Sequence, residues 1–215
     1  MNFGEDMYDT LKHKENLEVS LLPEIKGANR GIGLGLMLEF LKVPTVKHVI
    51  AGARNPDDAE VDLNAITDNR LKSVRIDLEC DQSIKDAYTQ VEKLVGEDGL
   101  NVLVNNAGVL PPYFTNGEIN RETLMKCLNV NTLGTATVSQ TFLPLLKKAA
   151  AQKPGDYFGV DRAAIVNISS FWGSISQNTD GSGTLGSLAY KTSKLSQLLS
   201  VRSRGYGANI VMAVS

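Results

Sequence analysis

Tyr190 and Lys194 stand four residues apart in the stretch YKTSK, the interval at which two side chains share one face of a helix. A free phenol has a pKa of about 10 and exchanges protons sluggishly at neutral pH, whereas a fixed ammonium beside it favours the phenolate. Reducing a carbonyl needs hydride at carbon and a proton at the developing alkoxide, so Tyr190 is a candidate general acid and Lys194 its tuner. Tyr-x-x-x-Lys alone is common on helices, and its chemistry depends on its surroundings.

A second set of residues suits phosphate. Gly27, Gly31 and Gly33 fall in KGANRGIG; backbone without Cβ turns sharply and comes close to a pyrophosphate, and the helix that follows points free N–H groups at the charge. The spacing departs from G-x-G-x-x-G, so an ordinary glycine loop is an alternative reading. Further on, Ala53 ends a strand candidate, Arg54 follows it, and no acid lies between Glu39 and Asp57. A carboxylate at that place would hold the ribose 2′-hydroxyl of NAD and repel the 2′-phosphate of NADP. Arg54 and Arg30 offer guanidinium donors instead, which predicts NADP(H).

The elements that must position these groups are legible as alternation. Strand candidates run over 48–53, 71–78, 101–108, 163–169 and 209–215; helices are expected at 31–42, 82–96, 120–150 with a break near Asn129, and 188–203. Short apolar runs alternating with longer helical ones read as parallel βαβ units, and right-handed crossovers put helices on both faces. The expected fold is α/β, a doubly wound Rossmann-like sandwich. The Gly- and Ser-rich segment 169–187 is either a flexible connector or the lining of a ligand crevice beyond a strand end.

Composition excludes other classes. Twenty-two Lys+Arg against 24 Asp+Glu give a net charge of -2, without the basic excess that a nucleic-acid partner requires. Cys80 and Cys127, with only His13 and His48 beside them, have no metal-ligand spacing and no disulfide density, which suits a reducing compartment. No metal is expected. The first residues lack an apolar signal core and no run is long enough to span a bilayer, so a cytoplasmic location is expected.

Taken in order, GANRGIG (27–33), IDL ending at Leu78, NNAG (105–108) and YKTSK (190–194) resemble the short-chain dehydrogenase/reductase family, and most of all its carbonyl reductases of the sniffer or C-factor type. The resemblance covers nearly all of residues 27–215. It implies an NADP-binding domain in which Gly27, Asn29, Arg30, Gly31, Ile32, Gly33 and Arg54 hold the cofactor's phosphates. It also implies that Asp77 and Leu78 contact the adenine and that Asn105, Ala107 and Gly108 border the adenosine and ribose. Ser170 matches the family's catalytic serine, which would polarise the substrate carbonyl, and Asn131 the residue that holds a helix open around a water. Tyr190 would be the proton donor, and Lys194 would also bind the nicotinamide ribose. Read alone, Ser170 suits a turn cap, Asn131 a helix-surface amide, and Asn105-Asn106 a turn after a strand. The implied substrate is a small reactive carbonyl: an aldehyde, ketone, dicarbonyl or quinone.

Three departures from the family pattern complete the reading. The interval from Ser170 to Tyr190 is long, which predicts a roomier substrate entrance walled by Phe171, Trp172, Pro111, Pro112 and Tyr113, although such aromatics also serve as core. Before the first glycine, where a buried central strand is needed, stand Leu21, Leu22, Pro23, Glu24, Ile25 and Lys26; proline removes a ladder donor and the charges resist burial. Residues 1–26 thus read as an atypical leader, with a displaced first strand available at 17–22. The chain ends at Ser215, before the last strand of the pattern, so a domain over 27–215 lacking that strand is expected. Two functional readings stay open: an NADPH-dependent carbonyl reductase, or a non-catalytic or incomplete relative that acts by binding, with a homodimer through the long helices.

Overall fold

The computed structural model describes residues 17–22, 31–56, 66–155, 160, 162–199 and 209–213. Six parallel strands form one sheet in the order β3-β2-β1-β4-β5-β6. They are β1 (Leu17–Leu22), β2 (Val46–Ala53), β3 (Leu71–Arg75), β4 (Val102–Asn105), β5 (Ala164–Ile168) and β6 (Asn209–Ala213). The doubly wound α/β class is as expected, and the last strand of the family pattern is not among these six.

The central strand lies earlier than the glycine turn suggested. β1 pairs with β2 on one side, Ser20 opposite Ile50 and Leu21 opposite Ala51, and with β4 on the other, Val19 opposite Val102 and Leu22 opposite Asn105. It is described as far as Leu22, and Pro23, Glu24 and Lys26 lie outside the described residues. The central strand is formed by residues 17–22, upstream of the place just before the glycines, where the sequence offered a displaced first strand. Gly27, Asn29 and Arg30 lie outside the described residues.

Alternation along the strands sorts the core into two layers. Val49, Ala51, Val102, Val104, Val166 and Ile168 face Leu36, Met37 and Phe40 of α1 (Gly31–Leu41). Ile50, Leu103 and Ile165 face the opposite way, onto Ile84 and Val91 of α2 (Asp81–Val95) and Phe142, Leu145 and Leu146 of α4 (Thr135–Ala151). Strands buried on both faces explain the continuous apolar runs in the sequence.

Ends of elements have local causes. β3 stops at Arg75 rather than running to Leu78 because Asp77 makes a turn: its Oδ1 accepts from Glu79 N at 3.0 Å and its backbone oxygen from Cys80 N at 3.1 Å. Arg70 ties the end of α1 to the start of β3. Its Nη1 donates to Val43 O at 2.8 Å and Val46 O at 3.2 Å, its Nη2 to Leu41 O, and its Nε to Asp68 Oδ1 at 3.0 Å. Before β4, Gly99 sits at φ +71, and a Cβ there would stand 2.5 Å from Ala149 N and 2.6 Å from Leu145 O. Only glycine fits so close to the α4 backbone.

The break expected near Asn129 is a widening instead. α3 (Arg121–Leu128), N-capped by Asn120, passes into a π-helical turn over Asn129–Gly134 and on into α4. Gly134 lets this turn lie against the strand-end loop, since a Cβ on it would meet Leu78 Cβ at 2.8 Å. α5 (Leu188–Leu199) completes the described helices; the expected extension to 203 falls outside the described residues.

Candidate active site

α5 and the end of β5 bring three of the four candidate catalytic residues together. Lys194 is buried, and its Nζ donates to Ile168 O, the last residue of β5, at 2.8 Å. The same Nζ lies 5.6 Å from the centre of the Tyr190 ring. Ser170, two residues beyond β5, caps a 3-10 turn over Phe171–Gly173, its Oγ accepting from Trp172 N at 3.2 Å. Trp172 then meets Tyr190 edge to face, ring centres 6.0 Å apart. Ser170 is thus the turn cap that its residue type also suggested, and that same cap sets the ring beside Tyr190.

Asn131 joins from the π turn. It is wholly buried, which removes the surface-amide reading. Its Nδ2 donates to Val109 O at 3.0 Å and to Ser193 Oγ at 2.8 Å, while its Oδ1 accepts from Val109 N at 2.7 Å. Ser193 Oγ in turn donates to Tyr190 O at 2.8 Å, and Thr132 Oγ1 to Ser193 O at 2.9 Å. One amide thereby ties the loop after β4, the π turn and α5 into a unit. A turn with one extra residue per cycle, a form found often at functional sites, is what carries it. Gly108 lies between the parts: a Cβ on it would be 3.5 Å from both Asn131 Oδ1 and Lys194 Nζ.

The sheet order reverses between β1 and β4, with β2 and β3 on one side and β5 and β6 on the other, and open α/β sheets bind ligands at such a point beyond the carboxyl ends of their strands. At the ends of β2 and β3 lies a hollow of about 640 Å³ lined by Arg54, Asn55, Arg75, Asp77, Cys80, Gln82, Ser83, Asp86 and Gln90. With two guanidinium groups beside the carboxylates of Asp77 and Asp86, the residues present fit the adenosine end of a nicotinamide dinucleotide.

Several expected contacts change character. Leu78 and Ala107 are core residues, so only their main chain is available at the crevice. The Asn105 side chain turns inward, its Nδ2 donating to Asn167 Oδ1 of β5 at 2.7 Å and Ser139 Oγ of α4 at 2.9 Å, while its buried Oδ1 has no partner among the described residues. At the start of α1, Gly31 is the first helical residue, Ile32 is exposed and Gly33 buried. Sequence reasoning missed Arg75 and Ser83 on the hollow, because nothing in a strand residue and a helix residue eight positions apart announces that their side chains converge. It also missed Ser193 and Lys191, although both lie inside YKTSK. Among the described residues no three His, Cys, Asp or Glu are grouped to hold a metal, and no helix is long and apolar enough to cross a membrane.

The fold and this constellation define a class. The chain belongs to the short-chain dehydrogenase family, whose model matches residues 24–196. Among solved structures it is similar to Sniffer of Caenorhabditis elegans, with 40% identity, a TM-score of 0.85, and coverage of 91% of this chain and 84% of that one. It is also similar to the NADPH-bound carbonyl reductase from chicken fatty liver, with 33% identity, a TM-score of 0.77, and coverage of 90% and 72%. Human retinol dehydrogenase 5 is 33% identical over 157 residues, which are 73% of this chain and 45% of that protein. The chain spans less than half the length of the curated relatives it matches.

Proposed function

We propose that this protein reduces a reactive carbonyl compound, with NADPH as the hydride donor. The observation that carries the reading is the convergence of Tyr190, Lys194, Asn131 and the Ser170 turn beyond the ends of β4 and β5, with Asn131 and Lys194 meeting at Gly108. Similarity to carbonyl reductases, one of them NADPH-bound, supports it.

When bound, the reduced nicotinamide supplies the hydride to the carbonyl carbon. The remaining work falls to side chains of this chain. Ser170 Oγ accepts from Trp172 N, which leaves its O–H free to donate to the carbonyl oxygen and polarise it. As the C=O π electrons move onto oxygen, Tyr190 transfers its phenolic proton there, giving the alcohol. The Lys194 ammonium stabilises the phenolate left behind and would hold ribose hydroxyls of the cofactor. Asn131, fixed on Val109 and Ser193, holds the π turn against α5 and would keep the water that returns a proton toward Lys194. Arg54 and Arg30 would bind the 2′-phosphate, and Asp77 the adenine.

NADPH fluorescence should change on binding, and NADPH should be consumed with at least one member of a panel of aldehydes, ketones, dicarbonyls and quinones. Tyr190→Phe should bind NADPH as the wild type does and lose turnover by about 10²- to 10⁴-fold. Binding without Tyr190-dependent turnover would favour a non-catalytic relative, and failure to bind NADPH would overturn the cofactor assignment.

A further inference from the structure

Lys191 follows the proposed proton donor, about 100° round α5, where it is buried under the segment 174–187. A buried ammonium needs an acceptor for each of its three N–H groups, and this one has three: Asn178 Oδ1 at 3.1 Å, Asp180 Oδ1 at 2.6 Å and Gly181 O at 2.6 Å. All three belong to the Gly- and Ser-rich segment. The same Nζ stands 5.7 Å from the centre of the Trp172 ring, whose edge meets Tyr190.

The segment is ordered by these contacts and not left as a tether. Gly181, Gly183 and Gly186 occupy left-handed backbone at φ 58, 57 and 62, so its glycines serve tight turns. Its far end is pinned to the loop after β4: Tyr113 N donates to Gly186 O at 2.5 Å and Leu188 N to Tyr113 O at 3.3 Å. Phe114 packs where a Cβ on Gly186 would lie, within 2.7 Å. Both loops therefore flank the Tyr190 end of the crevice, and Lys191 joins them to the helix that bears Tyr190.

We infer that Lys191 is a positioning residue for the carbonyl substrate: it clamps segment 174–187 through Asn178, Asp180 and Gly181 and holds Trp172 as the wall beside Tyr190. The substrate side of this inference rests on the reductase reading; the clamp itself does not. Because Lys191 touches the entrance and not the hollow at β2 and β3, its loss acts on carbonyl binding and spares cofactor binding.

Trp172 is the chain's single tryptophan, so its fluorescence reports the clamp directly. In Lys191→Met, acrylamide quenching of Trp172 should rise, and the KM for the carbonyl should rise about tenfold, the loss expected from one charged hydrogen-bond set, with kcat within about threefold and NADPH affinity unchanged. Asp180→Asn removes the charge of the exposed partner while keeping an acceptor oxygen, leaves the buried cation in place, and should shift both readouts in the same direction by less. Unchanged quenching in both variants would overturn the clamp whether or not the protein turns over a carbonyl. Raised quenching with an unchanged KM would overturn the positioning role. A wild type that binds NADPH and reduces no carbonyl would overturn the reductase reading and the substrate role together, while raised quenching would still establish the clamp.

Discussion

At the scale of single residues, charge decides more than shape. Arg54 lines the hollow at the end of β2, with Arg75 on the same wall; a carboxylate in place of Arg54 would repel a 2′-phosphate and accept from a 2′-hydroxyl. Arg54→Asp is therefore expected to reverse the cofactor preference from NADPH to NADH by at least about tenfold in kcat/KM, the effect of one charge-assisted contact. Parallel assays with the two cofactors check this. Asp180 carries a second prediction. Its hydrogen bond to Lys191 holds its carboxyl below the ordinary carboxylate range, against an opposing effect of desolvation and with the help of their charge attraction. A depressed folded-state value means that the clamp's contribution is fully present above the ordinary carboxylate range and fades as pH falls through the lower folded one. Trp172 emission should thus change on acidification below about pH 4 in the wild type, within that range, and Asp180→Asn should remove that step. Asp68, lowered by its hydrogen bond to Arg70, titrates with the same sign but stands at the opposite edge of the sheet beside β3.

At the scale of elements, the π turn is the part on which the site depends most. It must lie against Leu78 to place Asn131 between Val109 and Ser193, and Gly134 makes that approach possible. Gly134→Ala should cost about 1–3 kcal/mol through overpacking, read as a lower midpoint in urea. The helix on either side was legible in the sequence, whereas its widening was not, because apolar periodicity does not register one extra residue in a turn. β1 illustrates the opposite limit. Pro23, Glu24 and Lys26 drew attention to the stretch just before the glycines, but the central strand ends at Leu22, five residues upstream of the first glycine, in NLEVSLL. The end of β3 was overrun for a simpler reason: the Asp77 side chain closes a turn there, while Ile76 and Leu78 on either side of it remain apolar. Lys191 escaped notice because its meaning depends on partners ten to thirteen residues earlier, in a Gly- and Ser-rich segment whose sequence left connector and crevice lining equally open.

For the whole molecule, the two-layer core follows directly from alternation in the strands, and its closure can be tested without any ligand. Cys127 is fully buried against the loop after β4, and burial raises its thiol to about 11, so it is both shielded and protonated. Cys80 is exposed on the hollow at β3. One thiol per folded chain should react with a disulfide reagent at neutral pH and two after unfolding, and NADPH should slow the first. Gly99→Ala tests how the layers meet: a Cβ driven into the α4 backbone at a positive φ should lower the unfolding midpoint, by about 1–3 kcal/mol or more.

The central claim is that hydride and proton are delivered at one crevice, the proton by Tyr190. NADPH carrying deuterium at the transferable position of its nicotinamide ring, incubated with the protein and a reactive carbonyl, tests it by mass spectrometry of the alcohol. The account predicts deuterium on the carbinol carbon with the wild type and no labelled alcohol with Tyr190→Phe. Alcohol formed without the label, or labelled equally by the Phe variant, would contradict it.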